Sequence, residues 1–314
     1  MQAQSVFLLG PGRTEIRTWD VPDPAGGEVQ VKCLANGICM GDTAVFAGLE
    51  ASHFPRPIGH EGVGVVTKVG PGVSGFAEGD SVDCFGWSTY QNCHTGRLGR
   101  FDKPPADPSV MLVEPVACVV TALFSYNITP GDRVLLMGAG FMGLLNVQGL
   151  ARYPLAELVV TDIKPRNLDL ARQFGATETI QVQTPEGDAR LNDLKRQPFD
   201  LVIESAASAC TLQEAGELTR PGGRLAIFAW HRQPRSLDMG VWHMRGLTVL
   251  NSAPGIGTDH NVNSFQRAIM LLERGVFDLR QLVTHRHDVG NVQEALELSV
   301  ARPADYIKGA LMFS

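Results

Sequence analysis

Cysteine is scarce in this chain, with six among 314 residues at positions 33, 39, 84, 93, 118 and 210 and no CxxC pair. A disulfide framework is thereby excluded, and the default reading of each is a small buried hydrophobe. No apolar run approaches the ~20 residues that cross a bilayer, and the start, MQAQSVFLLGPGRTE, lacks a basic stretch before its brief apolar one. A cytoplasmic protein with no membrane partner is expected. Neither sign of charge dominates: 27 basic and 33 acidic side chains leave −6, which removes nucleic acid as a default partner. With 44% hydrophobic and 19% charged residues, the chain is neither disordered nor collagen-like. Turn formers are plentiful, with 34 Gly and 19 Pro, which suits many short elements rather than a helical bundle. At about 150 residues per domain the length implies two globular units.

From Val6 to about Asp83, short β-rich runs (VFLL, GEVQVKCLANGI, EGVGVVTKVG, DSVDCF) are cut by turn residues such as PGVSGFAEGD. Glycines inside EGVGVV suggest close backbone approach or barrel curvature. From Asp132 strand and helix signals alternate: RVLLM, the turn GAGFMG, LLNVQGLARY, ELVVTD, a helix ending at Gly175, FDLVIES, GGRLAIFAW and LTVLNS. That alternation predicts an α/β unit with a doubly wound parallel sheet. After Gly257 come an amphipathic helix, a strand-like LVTHRHDV, a helix from Val292 and a terminal YIKGALMF strand. This tail is too small for a core of its own and is expected to return to the first domain. The predicted division is residues 1–120, 121–257 and 258–314, the last joining the first.

Gly138-Ala139-Gly140-Phe141-Met142-Gly143 lies between a strand and a helix, where turn glycines let backbone amides and a helix N-terminus meet a pyrophosphate. Asp162 closes the next strand, where an acidic side chain binds ribose hydroxyls and repels a 2′-phosphate. The pair predicts NAD rather than NADP, with Lys164 and Arg166 close behind as the opposing signal. Separately, Cys39 in GICMGD, His60 and Glu61 in PIGHEGVG, and Glu114 in LVEPVA offer a thiolate, an imidazole and carboxylates. Such donors make a plausible zinc set if the fold brings them together, and three protein ligands leave the open position that catalysis needs.

In these ordered motifs the chain resembles the zinc-containing medium-chain alcohol and polyol dehydrogenases, from about Val6 to the end. GICMGDTAVFAG is similar to that family's GxCGxDxxxxxG segment, FPRPIGHEGVGVVTKVGPGVSGFAEGDSV to its zinc and barrel segment, and EPVACVVTAL before PGDRVLLMGAGFMGLL to its domain junction. The resemblance implies a GroES-like β-barrel catalytic domain plus a Rossmann doubly wound cofactor domain. It further implies that Cys39 and His60 bind zinc and that Glu61 or Glu114 completes the set. Glu114-Pro115 follows the sorbitol-like and sugar-like branches. Lys308 falls where the family places a basic residue near the cofactor phosphates, and Cys118 near the expected nicotinamide face.

Two departures stand out. The family carries Ser or Thr two residues after the ligand cysteine to start a proton relay, and this chain has Gly41, which offers no side-chain donor. Thr43 or a water is expected to carry the proton instead. The lobe of four cysteines that holds a structural zinc in many relatives is missing, so one catalytic zinc is expected; Cys93-His94 reads as part of a strand. Trp87, Phe46 and His53 are candidate pocket residues. The expected enzyme is an NAD-dependent zinc dehydrogenase that oxidises a secondary hydroxyl of a polyol, cyclitol or sugar derivative, acting as a homodimer or homotetramer. The alternatives are a simple-alcohol or amino-alcohol dehydrogenase, a transient-redox epimerase or lyase with the same cofactors, and a non-catalytic cofactor-binding protein.

Overall fold

A computed structural model describes residues 1–252 and 263–313. The chain divides into two compact units, Met1–Ala117 with Phe265–Ser314, and Cys118–Ser264. The expected boundary between residues 257 and 258 lies outside the described residues.

The first unit begins with β1 (Gln2–Gly10), β2 (Arg13–Asp20), β3 (Glu28–Gly37), α1 (Met40–Phe46), β4 (Arg56–Pro57), β5 (Gly62–Val69), β6 (Ser81–Cys84), β7 (Tyr90–His94) and the start of α2 (Val113–Ser125). The second unit runs through β8 (Arg133–Met137), α3 (Phe141–Leu150), β9 (Glu157–Asp162), α4 (Pro165–Gln173), β10 (Glu178–Gln181), α5 (Pro185–Leu194), β11 (Phe199–Glu204), α6 (Ala209–Leu218), β12 (Thr219–Ile227), α7 (Met239–Met244) and β13 (Thr248–Asn251). The tail supplies α8 (Ser264–Glu273), β14 (Val283–Asp288), α9 (Val292–Ala301) and β15 (Lys308–Met312).

In the first unit the sheets run β2-β1-β4 and β14-β15-β3-β5-β6, with β7 added beside β3. Residues of β1, β3, β5, β6, α9 and β15 meet in one core around Val6, Leu8, Val31, Val66, Leu296 and Leu311. Two register shifts in the β3–β5 ladder, at Gln30/Val31 and Cys33/Ala35, add curvature to the sheet. The strand glycines of β5 have a steric reason: a Cβ on Gly64 would lie 2.5 Å from the Lys32 carbonyl oxygen, and one on Gly62 would lie 2.6 Å from Cys84 Sγ. The sheet is thus drawn tight where the chain next turns toward the site.

The second unit holds a six-stranded sheet in the order β10-β9-β8-β11-β12-β13 with every pairing parallel, the doubly wound arrangement that the alternating pattern predicts. Val134, Leu135, Leu136 and Met137 are all buried, since helices cover both faces of such a sheet. The chain runs from β8 outward to β9 and β10, then crosses back to β11. The strand order therefore reverses between β8 and β11, and ligands of open α/β sheets bind at that kind of switch point. One stretch, Pro108–Ser125, is long and apolar enough to cross a membrane, against the expectation of none, but half of it is buried in the protein as a core helix is.

Candidate functional site

Strand register assembles the first cluster. Asn36 of β3 pairs with Gly62 of β5, so Cys39, three residues beyond Asn36, and Glu61, one residue before Gly62, emerge side by side. On the other flank of β3, Gly37 pairs with Ala310 of β15, which brings in Lys308 two residues earlier. Cys39 caps α1, and its sulfur accepts a hydrogen bond from the Gly41 amide at 3.3 Å. The backbone of Glu61 is fixed on both sides: its amide donates to Asn36 Oδ1 at 3.0 Å and its carbonyl accepts from the Gly37 amide at 3.0 Å. Gly59 (φ +93) sets the approach of His60, and a Cβ there would lie 2.0 Å from the buried Trp87 ring. The indole in turn donates to Asn36 Oδ1 at 3.2 Å and to the Gly37 carbonyl at 3.3 Å.

Ligand atoms of Cys39, His60 and Glu61 all lie within 4.8 Å of one another. Tetrahedral zinc, with bonds of about 2.0–2.3 Å, needs donors roughly 3.3–3.8 Å apart, so small side-chain adjustments suffice. The electrostatics also fit a cation. Burial works against a charged His60, yet its hydrogen bond to Cys39 and the charges of Cys39, Asp42 and Glu61 push its pKa up to about 10. Asp42 Oδ2 is 3.5 Å from His60 Nδ1 and has no hydrogen-bond partner of its own. Burial pushes the Cys39 thiol up, while the bond to His60 pulls it down. A metal here would have to displace that proton, because an imidazole ligates in its neutral form.

Several expected residues take other places. Glu114, in the first turn of α2, is not one of the three grouped donors. The Thr43 hydroxyl, expected to relay a proton, is 3.0 Å from the Cys39 carbonyl and 2.8 Å from Ser299 Oγ in a buried setting, where it ties α1 to α9. Lys308, expected near the cofactor phosphates, is placed beside the first cluster. Its buried ammonium needs a counter-charge and finds it in Glu61, at 2.8 Å from Oε1 and 2.5 Å from Oε2. Phe46 and Trp87 belong to the core, Phe46 also lining a surface cavity with Pro11, Gly12, Ala47 and Glu297, and His53 is exposed. On β7, Cys93 points into the core while His94 is exposed and accepts from the Gly96 amide, and these opposite faces cannot share a metal.

The second cluster belongs to the unit of the parallel sheet. Gly138 follows β8 with φ +103, and a Cβ there would lie 2.9 Å from the Ala206 amide nitrogen after β11. Gly143 passes so close beneath that its Cβ would be 2.0 Å from the Gly138 carbonyl oxygen, and Gly140 faces open space with nothing within 4 Å. Turn, open approach and tight helix packing are the three separate demands of a dinucleotide-binding turn. Gly140 caps α3 without a side chain, so no side-chain cap stands between the helix N-terminus and an approaching ligand. The side chain of Phe141 is itself buried in the core. Asp162 accepts from the Ala139 amide at 2.6 Å and the Lys164 amide at 2.8 Å, which anchors the carboxylate beside the turn.

Sequence reading passed over a supporting pair at the switch point. Glu204, fully buried at the end of β11, accepts from the Ala206 amide at 2.9 Å and Thr211 Oγ1 at 2.8 Å, and pairs with His231 Nε2 at 2.8 Å. Arg235 donates to His231 Nδ1 at 3.1 Å, so the imidazole proton lies on Nε2 and points to Glu204. This network fixes the turn on which Gly138 rests. The one sequence signal for it was an acidic residue ending a buried strand.

Two family models match the chain: an alcohol dehydrogenase GroES-like domain over residues 25–106 and a zinc-binding dehydrogenase domain over residues 142–274. An uncharacterised zinc-type alcohol dehydrogenase-like protein, YdjJ of Escherichia coli, is 27% identical with 100% of each chain covered. Sorbitol dehydrogenase of Bacillus subtilis is 25% identical, covering 90% of this chain and 89% of its own. Among solved structures, the alcohol dehydrogenase RspB of Escherichia coli complexed with NADH is 26% identical, with a TM-score of 0.86 and 99% of each chain covered.

Proposed function

For a chain that belongs to the zinc-containing medium-chain dehydrogenases, with their GroES-like and Rossmann-type units, we propose that the substrate of this zinc-dependent, nicotinamide-dependent enzyme is a secondary hydroxyl of a polyol, cyclitol or sugar derivative, oxidised to the ketone. The convergence of Cys39, His60 and Glu61 carries the reading. A thiolate, an imidazole and a carboxylate give a divalent cation a formally neutral ligand set with one position open. The Glu114-Pro115 pair and the sorbitol dehydrogenase relative support polyols over simple alcohols.

When bound, zinc supplies Lewis-acid polarisation of an alcohol oxygen, and the nicotinamide takes up the hydride. The chain's own residues do the rest. Cys39 and His60 would hold the metal, the Asp42 charge 3.5 Å from His60 Nδ1 would steady the imidazole, and Glu61 would contribute the exchangeable carboxylate. With Thr43 committed to Ser299, the alcohol proton leaves through water. In the other unit the amides after Gly140 receive the pyrophosphate, and Asp162 turns its remaining lone pairs to the adenosine ribose, which favours NAD over NADP. A homodimer or homotetramer is supported by β13, an edge strand with most of its residues exposed.

Metal analysis and a screen of NAD reduction over polyols, inositols and sugar acids test the proposal together. About one zinc per chain is expected, lost in Cys39→Ser together with activity. Two zincs, or activity without metal, would defeat the site. Turnover without net formation of reduced nicotinamide would favour an epimerase or lyase instead, and oxidation confined to amino alcohols would move the substrate class.

A further inference from the structure

The Lys308–Glu61 pair is an unusual neighbour for a metal site. Lys308 and Glu61 are 247 positions apart in sequence, and both are almost wholly buried. The ammonium donates a hydrogen bond to Oε1 at 2.8 Å and lies 2.5 Å from Oε2, which is buried and makes no hydrogen bond. The carboxylate also lies against Gly37, where even a methyl group would lie 1.9 Å from Oε2 and 2.9 Å from Leu112 Cδ1. Glu61 is therefore held by a cation beside a glycine backbone, with Oε2 left without a hydrogen bond.

We propose that Lys308 is a positioning residue that restrains Glu61, sharing the carboxylate with the metal so that Glu61 remains a weak, exchangeable ligand. The inference rests on the metal reading above. The charges close around it: thiolate, Glu61 and Asp42 carry −3, and a divalent cation with the Lys308 ammonium carries +3. Without Lys308 the cluster would be left at −1. The usual outer partner of a ligand is an acceptor that raises the ligand's basicity and tightens the metal. An ammonium on a carboxylate does the opposite, because it draws on the same lone pairs.

The test is the rate at which zinc is lost to a chelator, measured on the full chain. Lys308→Met is expected to lose zinc about tenfold more slowly than the parent, with a lower kcat, and Lys308→Arg is expected to restore both. The cobalt-substituted protein gives a second readout: its visible absorption bands shift in Lys308→Met as the carboxylate binds more strongly, and a merely structural lysine would leave them in place. Loss at the parent's rate, or faster, overturns the proposal. Because Lys308→Met buries an uncompensated carboxylate and can fail to fold, the double variant Lys308→Met, Glu61→Gln accompanies it. If the ammonium acts through the carboxylate, that variant releases zinc at the rate of Glu61→Gln alone; a difference of about tenfold would mean that Lys308 acts on the cation directly and would refute the assignment. A parent protein with no zinc, or with zinc that survives Cys39→Ser, would instead refute the metal reading itself.

Discussion

Asp83, at the inner end of β6, gives the sharpest quantitative expectation. Its Oδ1 accepts from the Gly99 amide at 2.6 Å, while Oδ2 is buried without a hydrogen-bond partner. Its side chain lies among the thiols of Cys84 and Cys93, which offer no positive charge, and burial pushes its pKa from 3.8 to about 7. In the unfolded chain the carboxyl returns to 3.8. Between those values the folded protein holds a proton that the unfolded chain has released. This group's contribution to stability is therefore full below 3.8 and is lost as pH rises through 7. A shift of about three units corresponds to about 4 kcal/mol, of which about 2 is already gone at pH ~5. Asp83→Asn removes the titration but keeps an oxygen for Gly99. Urea unfolding of both proteins, followed by tryptophan fluorescence at a series of pH values, isolates this group because every other titration is common to the two. Relative to the parent, the variant should gain roughly 2–3 kcal/mol between pH ~5 and pH ~8.5. An offset that does not change with pH would refute the argument, and a small gain already complete at pH ~5 would show that the carboxyl is ionised in the folded protein.

The remaining expectations concern the two clusters. Gly37→Ala forces its methyl against Glu61 and Leu112, so it should cost about 1–3 kcal/mol in thermal unfolding and lower the zinc content. Gly140→Ala and Gly143→Ala should separate binding from folding: the first has open space and should leave stability near the parent while weakening NADH binding by fluorescence titration, and the second should destabilise because its methyl meets the Gly138 carbonyl oxygen at 2.0 Å. Thr43→Val should cost about 1–3 kcal/mol through the unpaired Ser299 hydroxyl, yet leave the pH profile of kcat unchanged. A changed profile would return Thr43 to the proton path.

What could be read from the sequence was whatever a short segment states by itself. The glycine turn and Asp162 are such a case, because strand, turn and helix are consecutive and each glycine answers a local steric demand. Cys39, His60 and Glu61 were visible as donor types, but their meeting depends on Asn36 lying opposite Gly62, a register that two separated strands fix only when they pair. Lys308 shows where such reading stops. Its neighbours in sequence, Ile307 and Gly309, say nothing of Glu61, and likeness to a family pattern sent its charge toward a phosphate. Its partner is decided by β15 adding to β3 on the side opposite β5, so that three strands from the two ends of the chain bring one ammonium to one carboxylate. The same holds for Trp87, which looked like a pocket wall by its closeness in sequence and instead supports Gly59 from below. Long-range pairing determined both outcomes, and for that reason the residues that tune the metal ligands were harder to read than the ligands themselves.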